Sequence, residues 1–144
     1  MPIIRHEKIV PYSPHQMFTL VNQVEDYPKF VPYCKSVSIL AQATDDLQVQ
    51  LEFAKGALHK SFTTHNRVQQ DKMISIKLLD GPFKQLEGFW LFESVQEGCH
   101  IRLDMEFEFS NKWMAMMFGP LFNTITNTLV DVFCQRAKEV YTYT

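Results

Sequence analysis

The chain has 144 residues, 46% of them apolar, 13% aromatic and 21% charged, with a formal net charge of −2. That is enough chain to bury a substantial core, and residues 1–144 are read as a single domain. The balance excludes a disordered polymer and a generally basic, DNA-binding surface, and no apolar run reaches the roughly 18–20 residues that a membrane-spanning helix needs.

Ile3–Val10 alternates weakly and reads as a first strand, stopped by Pro11. Ser13-Pro14-His15-Gln16 is a helix start: Ser13 is the N-cap, Pro14 sits at the first helical position, and Gln16 completes a capping box. Met17, Phe18, Leu20, Val21 and Val24 supply that helix's buried side. Pro28 and Pro32 then forbid one regular helix through Asp26–Pro32, so a short second helix or turn is expected there.

From Lys35 the strand signals come in series. Val37–Leu40 is followed by Leu47, Val49, Leu51 and Phe53, alternating with polar neighbours. Lys55-Gly56-Ala57 is a turn, and in the next segment Leu58, Phe62 and Val68 share parity. Ile74, Ile76 and Leu78 mark a further strand, broken by Gly81-Pro82, and Phe83–Phe92 another. In Cys99–Phe109 the residues Ile101, Leu103, Met105, Phe107 and Phe109 face one way and Arg102, Asp104, Glu106 and Glu108 the other. About seven strands with short connections predict an antiparallel sheet.

The last third reads as one amphipathic helix from Asn111 to Tyr143. Met114, Phe118, Leu121, Ile125, Leu129, Phe133, Ala137 and Val140 step by three or four along one face, widened by Trp113, Met116, Met117 and Phe122. Asn123, Thr124, Asn127, Asp131, Gln135 and Lys138 form the wetter side. Pro120 cannot donate to the carbonyl of Met116, which predicts a kink or a break. Such a bend either wraps the helix around the sheet or hinges Trp113–Phe118 as a lid. The order strand, two short helices, about six strands and a long helix is an α+β layout.

Signatures of catalysis are missing: there is no G-x-S-x-G, Walker loop, G-x-G-x-x-G or H-E-x-x-H. His59 and His65 share a strand face but stand about 20 Å apart, too far to share a metal ion. Glu87 with Tyr27 or Tyr33 could line a cavity as acid or base, but no spacing fixes the pair. The expectation is a protein that is not an enzyme, requires no cofactor and holds no metal. Cys34, Cys99 and Cys134 are odd in number without C-x-x-C spacing, which reads as reduced thiols. Met1–Val10 carries Arg5, Glu7 and Lys8 and no apolar centre, so no signal peptide is expected.

What remains is apolar surface around one cavity between sheet and helix. Phe30, Val31, Phe53, Phe62, Phe83, Phe89 and Trp90 come from the sheet and its end-cap. Met114, Met117, Phe118, Leu121, Phe122 and Ile125 come from the helix. These are the candidate ligand-binding residues, the flexible thioethers suiting variable apolar shapes; the same residues would equally make an ordinary core.

Several segments resemble a known family. Val10-Pro11-Tyr12-Ser13, Met17-Phe18, Leu20-Val21 and Tyr27-Pro28-Lys29-Phe30, with Pro32 and Cys34, are similar to the opening of the coenzyme Q-binding, START-like family. Phe62-Thr63-Thr64-His65-Asn66, Leu79-Asp80-Gly81-Pro82-Phe83-Lys84 with Leu86, Gly88 and Trp90, then Phe107-Glu108-Phe109 and Arg136–Tyr141 continue the resemblance over nearly the whole chain. It implies a helix-grip fold (START-like, Bet v 1-like), a curved antiparallel sheet gripping a long C-terminal helix. It also implies a cavity for a hydrophobic ligand, ubiquinone or another polyprenyl quinone. Eukaryotic members carry a targeting segment; none is read here, so a bacterial cytoplasmic protein, at most peripheral to the inner membrane through transient contact, is expected.

The resemblance leaves alternatives open. One is a quinone carrier supporting respiration. Another is a toxin that binds the large ribosomal subunit and blocks subunit association, through basic side chains such as Lys55, Lys60, Arg67, Lys72, Lys77 and Lys84. A third is an enzyme, since the wider superfamily includes polyketide cyclases.

Overall fold

A computed structural model describes residues 3–141. The elements are β1 (Ile3–Val10), α1 (Pro14–Asn22), a 3-10 helix (Val24–Lys29), β2 (Cys34–Ala43), β3 (Asp46–Lys55), β4 (Leu58–Gln69), β5 (Met73–Asp80), β6 (Phe83–Val95), β7 (Gly98–Phe109) and α2 (Lys112–Val140). The strands form one antiparallel sheet in the order β1-β7-β6-β5-β4-β3-β2. Among the described residues only the β1–β7 pairing joins strands distant in sequence; the rest are hairpins. With α2 laid across the sheet and the short helices at its end, this is the helix-grip arrangement.

Local chemistry explains each junction. Ser13 Oγ accepts from the Gln16 amide at 3.1 Å and Gln16 Oε1 from the Ser13 amide at 2.9 Å, the capping box read from the sequence. Pro28 lies inside the 3-10 helix, the form the short second helix takes. Asn111 Oδ1 accepts from the Met114 amide at 2.8 Å and caps α2, so Asn111 precedes the helix rather than opening it. Gly81 holds φ +148 in the β5–β6 turn, and a Cβ there would fall 2.4 Å from Phe62 Cβ.

The alternation in β7 is borne out: Ile101, Leu103 and Phe107 are wholly buried beneath α2. The helix corrects two expectations and leaves a third untested. It runs unbroken through Pro120, so the expected break does not occur. Its described end is Val140, capped by Tyr141; an extension to Tyr143 lies outside the described residues. Trp113, Met116 and Met117 are exposed rather than widening the buried stripe, and Val140 is exposed as well. The spacing explains why: positions 113, 116, 117 and 120 continue by threes and fours into Thr124, Asn127 and Asp131, the solvent side of the same helix.

Candidate functional site

The space between helix and sheet follows from where α2 places its large rings. Phe122 and Phe133 stand eleven residues apart on one face, roughly three turns and 16 Å of helix axis. Phe122 packs against Phe107 (centroids 4.8 Å), Phe83 (5.0 Å) and Phe62 (6.0 Å). Phe133 packs against Tyr27 (5.3 Å), Trp90 (5.3 Å) and Phe30 (5.4 Å). Between these aromatic pillars the helix presents the smaller Ile125, Thr126 and Leu129. Close packing at the pillars cannot extend across the smaller side chains, so a gap is left.

That gap is a cavity of about 80 Å³. The sheet lines it with Val49, Leu51, Phe53, Phe62, Thr64, Asn66, Ile76, Leu86, Trp90 and Met105; Val24, Tyr27 and Val31 close its end. Its wall is apolar apart from Tyr27, Thr64, Asn66 and Thr126. The Tyr27 hydroxyl donates to the Val21 carbonyl, and burial, reinforced by Cys34, holds its phenol far above the ordinary range. Thr126 Oγ1 donates to the Phe122 carbonyl at 2.9 Å. Thr64 Oγ1 donates to Asn66 Oδ1 at 2.9 Å. Ligand pockets commonly measure about 300–1,000 Å³. The cavity at about 80 Å³ is therefore smaller than these, and a long ligand needs more room than this arrangement offers.

Of the residues expected to bind ligand, Val31, Phe53, Phe62, Trp90, Phe122 and Ile125 are brought together around this cavity. Phe83, Phe118 and Leu121 are buried in the aromatic cluster beyond Phe122. Phe30 is half-buried against Phe133, with the Arg136 guanidinium 4.9 Å over its ring. Met114 packs on the core edge and Met117 faces solvent. Phe89 lies on the other face of the sheet under the Arg102 guanidinium, 5.5 Å from it. Tyr27, Thr64, Asn66, Thr126 and Leu129 were not among the expected ligand contacts, and they line the cavity.

The outer face carries a wider, shallow groove of about 640 Å³. Arg5, Arg67 and Lys77 face Glu87, Asp104 and Glu106 there, around Phe89. This mixed-charge, water-facing surface offers no apolar enclosure. Glu87 belongs to it, whereas Tyr27 lines the inner cavity and Tyr33 is exposed beneath Lys55, so these groups do not meet. His59 and His65 each face a β3 carboxylate, Glu52 at 3.8 Å and Asp46 at 2.7 Å. Among the described residues no group of three His, Cys, Asp or Glu side chains is arranged to hold a metal ion, and no helix is long and apolar enough to cross a membrane.

Comparison with known proteins follows the same outline. The family model described as polyketide cyclase / dehydrase and lipid transport matches residues 10–134. The ribosome association toxin RatA of Escherichia coli is 40% identical over 142 residues, covering 98% of this chain and 90% of its own. The mitochondrial coenzyme Q-binding protein coq10 of Schizosaccharomyces pombe is 26% identical over 140 residues, covering 93% of this chain and 85% of its own. A START superfamily protein from Mycobacterium smegmatis superposes with a TM-score of 0.79 at 18% identity, over 96% of this chain and 98% of that one, a likeness of fold alone.

Proposed function

Because the chain belongs to the polyketide cyclase/dehydrase and lipid transport family, we propose that it binds one hydrophobic molecule between α2 and the sheet and carries it without chemical change, the whole chain acting as one domain. The observation that carries this reading is the apolar cavity framed by Phe122 and Phe133, with no acid–base pair at its wall. The ligand assigned is ubiquinone or another polyprenyl quinone, a reading supported by the name of the S. pombe relative. It is cargo; no cofactor is required.

Energetics suit a carrier. Enclosing a five-carbon isoprene unit is worth about 4 kcal/mol relative to water, at about 0.8 kcal/mol per carbon. The bilayer offers the tail a similar gain, so the net preference for protein over membrane is small and release at a membrane is easy. The exposed Trp113 and Met116 at the front of α2 are the surface assigned to transient membrane contact. Such a protein works from the cytoplasm and touches the inner membrane only to load and unload. The test is native mass spectrometry of protein purified from quinone-producing cells and of protein incubated with ubiquinone. A bound polyprenyl quinone is the expected result, and empty protein under both conditions overturns the reading.

A second reading rests on the 40% identical relative named a ribosome association toxin. In it the outer face contacts the large ribosomal subunit through Lys77, Lys84 and neighbouring basic side chains. Arg67 is already engaged by Asp46 at 3.5 Å, and Lys77 sits opposite Glu87, so the free positive charge on this face is modest. Co-sedimentation with large subunits at physiological salt supports this reading, and its absence at low salt as well rejects it.

A further inference from the structure

We infer that Asn66 is the specificity determinant of the cavity, and that it selects apolar molecules carrying a hydrogen-bond-accepting oxygen, a carbonyl above all. The inference rests on the ligand-binding reading given above and adds to it what part of the ligand is recognised.

Of the polar groups at the wall, all but the Asn66 amide have their donor hydrogens engaged. Tyr27 and Thr126 spend their hydroxyl hydrogens on the carbonyls of Val21 and Phe122. Thr64 spends its own on Asn66 Oδ1. Accepting that bond turns the amide so that Nδ2 is directed away from Thr64, toward open space, and Nδ2 has no hydrogen-bond partner among the described residues. Asn66 is only 8% exposed and its side chain forms part of the cavity lining. A guest that covers this donor without offering an acceptor leaves it unpaired, which is unfavourable, whereas a guest that offers an acceptor satisfies it. Around it the wall is aliphatic and aromatic, with Ile76, Trp90, Ile125 and Leu129 able to hold a ring and the start of a chain by contact alone. One donor set in such a wall fixes which end of a ligand lies beside β4 and discriminates against a hydrocarbon of equal size.

The test compares decylubiquinone with decylbenzene, which share a six-membered ring and a ten-carbon tail but differ in the two carbonyls, two methoxy groups and one methyl that the quinone ring carries. Competition binding in the same detergent is measured for the unmodified protein, Asn66→Leu and Thr64→Val. The unmodified protein should prefer decylubiquinone by roughly tenfold, the scale of one buried hydrogen bond that would otherwise go unmade. Asn66→Leu should lose that preference, read as the ratio of the two affinities, and Thr64→Val, which frees the amide to rotate, should weaken it. If Asn66→Leu does not fold, as judged by circular dichroism, the Thr64→Val ratio decides. A preference unchanged in the folded variants overturns the inference while leaving the apolar-cavity reading intact, the amide then being satisfied by water. Binding of neither compound to the unmodified protein overturns that reading and this inference together.

Discussion

The hydroxyl of Tyr141 donates to the backbone carbonyl of Gln16 across 2.9 Å and fastens the rear of α2 to α1. Lys8 Nζ reaches Asp131 Oδ1 at 2.7 Å and His6 Nε2 lies 3.0 Å from Asn127 Oδ1, so the middle of the helix is tied to β1 as well. Among the described residues the front is held by apolar contacts of Met114, Phe118, Leu121 and Phe122, and most of its first two turns stands in solvent. Pro120 weakens that front further, since the Met116 carbonyl receives no amide hydrogen from it. Opening of the cavity should therefore start at the front of α2. Hydrogen exchange by mass spectrometry should find amides over residues 112–121 exchanging faster than those over 125–137, with a bound quinone slowing the former. Uniform protection along α2 would contradict this asymmetry.

Filling the gap between the pillars should separate binding from folding. Thr126→Phe places a ring where α2 presents its smallest cavity-lining side chain, next to about 80 Å³ of free space. Stability should change by only about 1–2 kcal/mol, because existing space absorbs most of the added volume. Quinone retention should be abolished. A variant that folds normally and still retains quinone would place the ligand elsewhere than under α2.

These expectations depend on features that the sequence displays unevenly. The seven strands and the long helix were legible because period-two and period-3.6 patterns are strong in β7 and α2. The site was read less well, for two physical reasons. Phe89 and Trp90 were both assigned to the cavity, yet neighbours in a strand point to opposite faces, and Phe89 lies outside under Arg102. Trp113, Met116 and Met117 were assigned to the buried stripe by their greasiness, although their spacing aligns them with Asn127 and Asp131. Of the polar wall only Tyr27 was expected at a cavity; Thr64, Asn66 and Thr126 were not. Its signal was present: Thr64 and Asn66 share parity with Phe62 and Val68 in β4, and a polar residue at inward parity is the one to question. Cavity volume, in contrast, depends on how side chains from α2 and five strands interdigitate, which no local pattern encodes.

Gly88 should be the most sensitive small residue in the sheet. A Cβ at this position would lie 2.2 Å from the Asp104 carbonyl oxygen and 2.8 Å from Met105 Cα, so the β6–β7 pair closes only around hydrogen. Gly88→Ala must push these central strands apart, beneath Leu103 and Met105 of the core. The expected cost is about 1–3 kcal/mol, read as a lowered urea midpoint. Gly56→Ala, in the open β3–β4 turn with nothing within 4 Å of the added carbon, carries only the strain of its φ of +60 and should cost less. Equal midpoints for the two variants would contradict the close approach.

The buried thiols predict how stability responds to alkali. Burial pushes Cys34 and Cys99 from the ordinary 9.0 up to about 11, and raises Cys134 in the same direction. The folded chain thus keeps these protons to higher pH than the unfolded chain does. A raised folded-state value means that the contribution is complete below about pH 9 and is lost as pH climbs through about 11. Within that window Cys34 and Cys99 should each lower stability by up to about 1.4 kcal/mol per pH unit. Tyr27, whose phenol burial raises from the ordinary 10.0, acts in the same sense above that pH. Urea midpoints measured from about pH 7.5 to 10.5 should stay level with respect to these groups up to about 9 and then fall. Cys99→Ala, which removes the thiol of a fully buried residue, should start less stable and lose less of its midpoint across the window. A slope as steep in Cys99→Ala as in the unmodified protein would show that the alkaline loss arises elsewhere.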